Sequence, residues 1–306
     1  KKLKRIDAID PPVPADALRT EIEGLTEYRV LQYDPFDAYV VSASRAPLCI
    51  KEIGRLREIT FRAVGEGTNR SSDLDEFDLH YDHLILWDTQ ALQIAGAYRL
   101  GDGRNIIERY GLQGFYTNSL FRMHPRMKAI LRNSLELGRS FIVPAYQKHR
   151  LPLFLLWKGI LCYLSKKQYF RYIIGPVSIS NEYRDISKSL ITEFVKQNYF
   201  DQHLSRYVEP RHAFRPKLPL IDTEVLVEAT QHDLRKLDKM ITEIEPLHVA
   251  MPVLLKKYLQ QNAKILAFNS DPKFNDALDG LMLLDVKNLP SDTVENLQRE
   301  MVAGTK

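Results

Sequence analysis

The segment that most constrains this chain is Leu135-Glu136-Leu137-Gly138-Arg139-Ser140-Phe141-Ile142-Val143-Pro144. Its branched and aliphatic residues, closed by a proline, predict a buried strand over 134–143. Inside it sit an acid and a base three positions apart, and residues at odd spacing on a regular strand face opposite sides. A bulge at Gly138 would turn Glu136 and Arg139 to the same side, and glycine tolerates one. Charges in a core strand are costly unless paired or used. These residues alone leave both readings open: a structural ion pair, or a pair put to chemical work.

With 306 residues, 44% hydrophobic and 27% charged, the chain suits one large or two small globular domains. The net charge is +4, and the dense basic block is confined to Lys1-Lys2-Leu3-Lys4-Arg5. Nucleic-acid binding is therefore not indicated, whereas attraction to an acidic protein or an anionic lipid surface is allowed. Cys49 and Cys162 each fall in a predicted helix, with neither metal-ligand spacing nor a disulfide framework. That fits a reducing cytoplasm and a packing role. No run is long and apolar enough to span a bilayer. The apolar segment 151–164 is too short for that and reads as a core helix rather than an interfacial one. No signal peptide is visible, and a start at Lys1 rather than Met leads us to expect a piece of a longer protein.

In order, residues 1–44 are expected to be a linker and domain entry, basic and then Pro-rich, with Tyr39-Val40-Val41 as a first strand. Pro47 starts a predicted helix that Gly65-Glu66-Gly67 ends, leaving Arg62 and Glu66 near its C-terminus. An acidic loop, 73–83, leads into a hairpin of 84–88 with 93–100, closed by Gly101-Asp102-Gly103. Residues 104–125 read as irregular. After the central strand come a helix over 149–165, a strand over 169–179 interrupted at Gly175-Pro176, and a helix over 187–199. Further on lie a short helix over 251–259 and strands over 263–268 and 280–286. The domain is expected over 45–290 and a frayed polar tail over 291–306. This alternation predicts a mixed α/β (α+β) layered fold.

His83-Leu84-Ile85-Leu86-Trp87-Asp88 spells the His-x-x-x-x-Asp signature of glycerolipid O-acyltransferases. Within a strand, residues five apart point to opposite faces, so the match reads as coincidence. Gly65-x-Gly67 and Gly101-x-Gly103 do not open phosphate-cradling helices. No nucleophile elbow, His-rich cluster or Cys/His pair is present, and no metal is expected. The acidic loop reads equally as a solvated turn or as a seat for a cation or substrate ammonium.

Arg62 and Glu66, Asp75-Glu76-Phe77-Asp78, Asp82-His83-Leu84-Ile85, Gly96-Ala97-Tyr98-Arg99-Leu100 and Leu135-Glu136-Leu137-Gly138-Arg139 together resemble the GNAT-type N-acyltransferases of bacterial aminolipid synthesis, which act on ornithine or glycine. Leu156-Trp157-Lys158-Gly159 and segments 175–180, 252–259 and 271–275 extend the resemblance over about 45 to 287. The charged cluster of Asp75, Asp78, Arg99, Glu136 and Arg139 also resembles that of acyl-homoserine-lactone synthases. The resemblance implies a GNAT-like mixed sheet flanked by helices, with a C-terminal α/β extension. The implied reaction is transfer of a long 3-hydroxy fatty acyl chain to the amine of a small amino acid.

Coenzyme-A-dependent GNAT enzymes carry a glycine-rich loop after the central strand, whose N–H groups hold the pyrophosphate. Here the equivalent stretch is Gln147-Lys148-His149-Arg150-Leu151-Pro152, with no glycine and a proline lacking an N–H. That favours no tightly bound cofactor and a donor on the phosphopantetheine of acyl carrier protein, met by Arg104, Lys148 and Arg150. By the resemblance, Glu136 would be the general base. Backbone N–H groups near Phe141-Ile142 would steady the oxyanion. Arg99 and Arg139 would orient Glu136 or bind the acceptor carboxylate, and Tyr146 would protonate the departing thiolate. Asp75, Asp78 and Asp82 would hold the loop, with Arg62, Glu66 and His83 on the substrate side. A cytoplasmic enzyme, peripheral at the inner membrane and fused or partnered to an O-acyltransferase domain, is implied. Two other readings stand beside it: a lactone-synthase-like reaction, and a non-catalytic lobe docking carrier protein or membrane.

Overall fold

The computed structural model describes residues 6–215 and 223–303, so the basic block at 1–5 lies outside the described residues. In chain order the elements are α1 (Ala15–Glu23), β1 (Arg29–Tyr33), β2 (Phe36–Ser42), α2 (Pro47–Arg62), β3 (Asp82–Asp88) and β4 (Gln93–Asp102). Then come α3 (Gly103–Tyr110), β5 (Phe121–Met123), α4 (Lys128–Arg132), β6 (Ser134–Ile142), α5 (Leu151–Lys166) and β7 (Tyr172–Ile179). The chain continues through α6 (Asp185–Asn198), β8 (Val208–Pro210), α7 (Thr223–Glu228), α8 (Leu234–Ile244) and α9 (Val253–Gln260). It closes with β9 (Lys264–Asp271), β10 (Ala277–Asp285) and α10 (Ser291–Ala303).

One eight-stranded sheet, ordered β1-β2-β3-β4-β6-β7-β10-β9, carries the fold. Its neighbours are antiparallel except β6 and β7, which run parallel. Alternation along the strands sorts side chains between two faces. Ala38, Val40, Leu84, Leu86, Leu135 and Leu137 pack with α5 and the later helices. Tyr39, Val41, Ile85, Trp87, Ala97 and Phe141 pack with α1 and α2. Helix α5, with Leu155, Leu156 and Ile160 fully buried, is a core helix, as its composition predicts.

Four expectations are corrected. Residues 29–38, read as linker, form β1 and the start of β2 at the sheet edge, where Asp37 pairs with Arg29, while 39–41 is the expected strand. Residues 103–110, read as irregular, form α3 because the Asp102 carboxylate caps Arg104 and Asn105 N–H groups at 2.9 and 3.3 Å. Strand β7 runs unbroken through Gly175-Pro176, which pair with Met282 and Leu281 of β10, while no β6 residue pairs with Pro176 on the other side. Residues 291–303, read as frayed, are helical.

The β6–β7 pairing covers only Ser134↔Tyr172, Leu135↔Ile173 and Glu136↔Ile174, and the strands then diverge. Gly175 stands at the fork, where a Cβ would lie 2.2 Å from the Leu137 carbonyl oxygen. Gly138, by contrast, has open space where its Cβ would be. Gly175→Ala is therefore expected to lower the unfolding midpoint by several degrees, and Gly138→Ala to leave it within about two degrees of the parent, in thermal unfolding followed by circular dichroism.

Candidate active site

Beyond the fork, β6 and β7 frame a cleft of about 170 Å³. Leu137, Gly138, Arg139 and Ser140 form one side, and Pro176, Val177 and Ser178 the other. The β6 backbone past Glu136 has no partner on the β7 side, so this stretch of strand edge is open to a ligand. Tyr98 and Tyr258 also line the cleft, their hydroxyls 3.0 Å apart and their pKa values raised by burial.

The expected bulge is present. The β4–β6 register slips between Ala97↔Phe141 and Arg99↔Gly138. The left-handed residue is Arg139, with φ of 49°, rather than the glycine. The extra residue turns Arg139 onto the face that carries Arg99 and the acidic loop, where it lies 3.5 Å from Asp73 and 3.6 Å from Asp75.

A buried ionic cluster holds this face. Arg57 of α2 reaches Asp78 through Nη1 and Nη2 at 2.8 and 3.1 Å, Asp73 Oδ2 through Nε at 3.2 Å, and the Asp73 carbonyl through Nη2. Arg99 of β4 reaches Asp75 at 2.5 Å and Asp78 at 3.4 Å. Its remaining nitrogens find no acceptor and lie over the rings of Phe77, Tyr81 and Tyr116, which offer their negative faces instead. The Tyr116 ring also packs under Arg139, 5.2 Å from its guanidinium carbon. Burial would raise the Asp73 and Asp78 carboxyls, but the Arg57 guanidinium overrides it and holds both below their ordinary range. Burial pushes His83 down to about 4, so it is neutral, and its Nε2, 3.1 Å from the Asp78 carbonyl, carries the proton.

Across the cleft from this cluster stands a second set of carboxylates. Asp279 of β10 accepts from Ser178 Oγ at 2.6 Å, and burial, with Asp271 and Glu66 nearby, raises its pKa to about 7. Burial and Glu182 raise Glu66 as well.

The structure brings together some of the residues singled out by sequence and separates others. Arg139 and Glu66 line the cleft, with Asp75 paired to Arg139 and Asp78 to Arg99. Glu136 does not line it. Its carboxylate is enclosed, accepting from the Tyr81 hydroxyl, from Tyr116 N–H at 3.2 Å and from Thr117 N–H at 2.7 Å. Arg99 is equally enclosed. Asp82 faces α5 and bonds Tyr163, on the opposite side of the sheet from the ionic cluster. Tyr146 donates to Asp88 at 2.7 Å, accepts from Gln93 at 2.8 Å, and has its pKa raised by burial to about 12. It does not line the cleft, so it is not placed to protonate a thiolate there. Arg62 is spent on Glu58 and on the carbonyls of Asp7 and Arg70. Phe141 packs against Phe61 and Ile142 against the α5-side core, so the open strand edge lies at 137–140 rather than at 141–142. Arg104 lies over the Tyr169 ring near the start of β6, whereas Lys148 and Arg150 follow its end. Arg104 and the Lys148/Arg150 pair thus fall at opposite ends of β6.

Sequence reasoning missed Arg57, Ser178, Tyr98, Tyr258, Asp271 and Asp279 as site residues. Asp271 and Asp279 flank the β9–β10 turn, in a stretch that falls between the predicted strands 263–268 and 280–286, so no strand pattern marked them as buried acids.

Residues 56–157 match the family model described as an acetyltransferase (GNAT) domain. The chain thus carries a GNAT domain and is an acyltransferase. It is 28% identical to the glycine N(alpha)-acyltransferase of Bacteroides thetaiotaomicron over 310 residues, covering 94% of this chain and 88% of that protein. The glycine N(alpha)-acyltransferase of Phocaeicola vulgatus is also 28% identical, with 94% and 91% covered. The L-ornithine N(alpha)-acyltransferase of Rhizobium meliloti is 34% identical over 122 residues, 36% of this chain and 38% of that protein. Among solved structures, the coenzyme-A-dependent acyl-homoserine lactone synthase BjaI superposes with a TM-score of 0.35 at 11% identity, covering 85% of this chain and 87% of that one.

Two predictions separate the carboxylates. Glu136→Gln puts an amide NH₂ among three donors, leaving at least one buried group unsatisfied, and is expected to cost about 1–3 kcal/mol in urea unfolding. Asp279 has its pKa raised above the ordinary carboxyl value of 3.8. The folded state therefore keeps a proton that the unfolded chain has lost, and stability falls as pH rises from about 4 to about 7. Asp279→Asn should remove that slope, unfolding at a higher temperature than the parent at pH 8 and with a smaller difference at pH 4.

Proposed function

We propose that this chain moves a long acyl group from a thioester to the amine of a small amino acid, glycine or ornithine, forming the N-acyl amino acid of an aminolipid. The observation that carries the reading is the fork between β6 and β7. An extended pantetheine arm can pair with the free edge of 137–140, which sets the thioester beside Arg139 and the carboxylates of β9 and β10. Arg139 offers a cation to the acceptor carboxylate, and the carboxylates offer partners to its ammonium. N–H groups of the open β6 edge would steady the tetrahedral oxyanion. The Tyr98 and Tyr258 hydroxyls would donate to the departing sulfur. The full-length similarity to glycine N(alpha)-acyltransferases supports the acceptor class.

Acyl carrier protein is the donor in this reading. After β6 the chain makes a tight turn over Pro144–Tyr146, and α5 then opens with Pro152 in its first turn and no side-chain cap. That N-terminus lacks the glycine-rich backbone cradle that grips a pyrophosphate. Lys148 and Arg150, exposed beside it, suit the acidic surface of a carrier protein. Exposed Phe154 of α5 and Val253 of α9 support a site at the inner-membrane surface, with Lys257 packed 5.9 Å from the Phe154 ring. Among the described residues no helix is long and apolar enough to cross a membrane.

The test incubates the purified chain with 3-hydroxypalmitoyl carrier protein, or with the coenzyme A thioester, and with glycine, ornithine, serine and lysine, and reads products by mass spectrometry. An N-acyl amino acid formed faster from the carrier protein is expected. Folded protein that forms none from either donor would overturn the reading, and methylthioadenosine released from added S-adenosylmethionine would replace it with lactone synthesis.

A further inference from the structure

With Glu136 enclosed, the reaction above still needs a group that removes the acceptor's proton. We propose that Asp279 is that general base, with Ser178 orienting its carboxylate and Asp271 beside it in the lining of the same cleft. The inference rests on the N-acyltransferase reading. Asp279 lines the cleft opposite the open β6 edge, so an amine held between the two faces the thioester carbonyl on one side and this carboxylate on the other. In the ladder Asp279 stands directly between Ser178 of β7 and Asn269 of β9. Ser178 Oγ donates to Oδ1, which fixes the carboxylate plane and leaves Oδ2 for the substrate.

The groups facing Asp279 come from every neighbouring element. Asp271 on β9 and Glu66 after α2 raise its proton affinity, Arg139 on β6 lowers it, and the Tyr116 hydroxyl stays protonated with a pKa near 12. Burial is the largest cause, and together they place the carboxyl at about 7. A base poised near neutral pH accepts a proton from an ammonium and returns it to solvent within one cycle. Glu136 lacks both access and a free oxygen.

The acceptor ammonium gives one proton to the Asp279 carboxylate. The freed nitrogen lone pair forms the C–N bond at the thioester carbonyl. On collapse the C–S bond breaks, its electron pair leaves on sulfur, and the surplus proton on nitrogen passes to that thiolate. Asp279 then releases its proton to solvent.

The experiment measures kcat/KM against pH from 5.5 to 9.5 for the parent, Asp279→Asn and Asp271→Asn, using the donor and acceptor that give most product. The parent should show an acid limb near pH 7. Asp279→Asn should lose about 10²- to 10⁴-fold in kcat together with that limb. Its deficit should shrink with glycinamide, an amine of lower basicity than glycine, a readout that a merely structural role would not move. Asp271→Asn removes a like charge and should shift the limb to lower pH. Asp279→Asn that unfolds cooperatively at or above the parent's midpoint yet keeps kcat within about threefold, or keeps the acid limb in its residual activity, would overturn the assignment. A parent enzyme that acylates no amino acid would instead overturn the N-acyltransferase reading.

Discussion

Arg57, Arg99 and Arg139 meet Asp73, Asp75 and Asp78 between helix α2 and the middle of the sheet, almost wholly out of water. Removing ions from water costs several kcal/mol each, and their mutual attraction offsets that only when the geometry closes. Here it closes by sharing. Asp78 serves two guanidiniums, Asp73 two and Asp75 two, while aromatic faces take up the nitrogens of Arg99 that find no oxygen. No member can be lost without stranding a charge, so the acidic loop is tied to the sheet through all three arginines.

The cleft inherits its shape from that arrangement. Arg139 adopts a left-handed backbone that costs a non-glycine residue of order 1–3 kcal/mol, and its ion pairs with Asp73 and Asp75 hold it there. The bulge so formed falls just beyond the point where β6 leaves β7. Tyr116, packed under Arg99 and Arg139, gives its backbone N–H to Glu136, which ties the turns before β5 to the central strand. Glu136 is then a keystone of this assembly, receiving donors from two separate segments.

Much of the fold was legible in local pattern. Alternation marked β3, β4 and β6, Pro47 marked the start of α2, and the apolar run marked α5. What failed were signals that only tertiary context decides. Residues 29–38 read as linker because the edge they complete is supplied by β3, far along the chain. Gly175-Pro176 read as a break, when the splay makes both residues fit an unbroken strand. In the site, Arg139, Asp75 and Asp78 were legible as a charged pattern, and Glu136 was legible as a buried acid. Arg57 was not, because an arginine in an amphipathic helix reads as surface until its partners arrive from the following loop.

The assignment of roles to the two buried carboxylates shows why composition within one strand is an incomplete guide to chemistry. Glu136 and Asp279 are both acids in apolar strands, and burial raises both. Their neighbours differ. Glu136 is met by a phenol and two amides, and these donors occupy both of its oxygens. Asp279 is met by one serine and by Asp271 and Glu66, which disfavour its charge and leave an oxygen toward open space. Hydrogen-bond donors turn a buried acid into a brace, whereas like charges beside a cavity turn it into a proton acceptor. Those neighbours come from β7, β9 and the end of α2, more than a hundred residues apart in sequence at the extremes. The identity of the base is therefore a property of the closed sheet and not of any one of its strands.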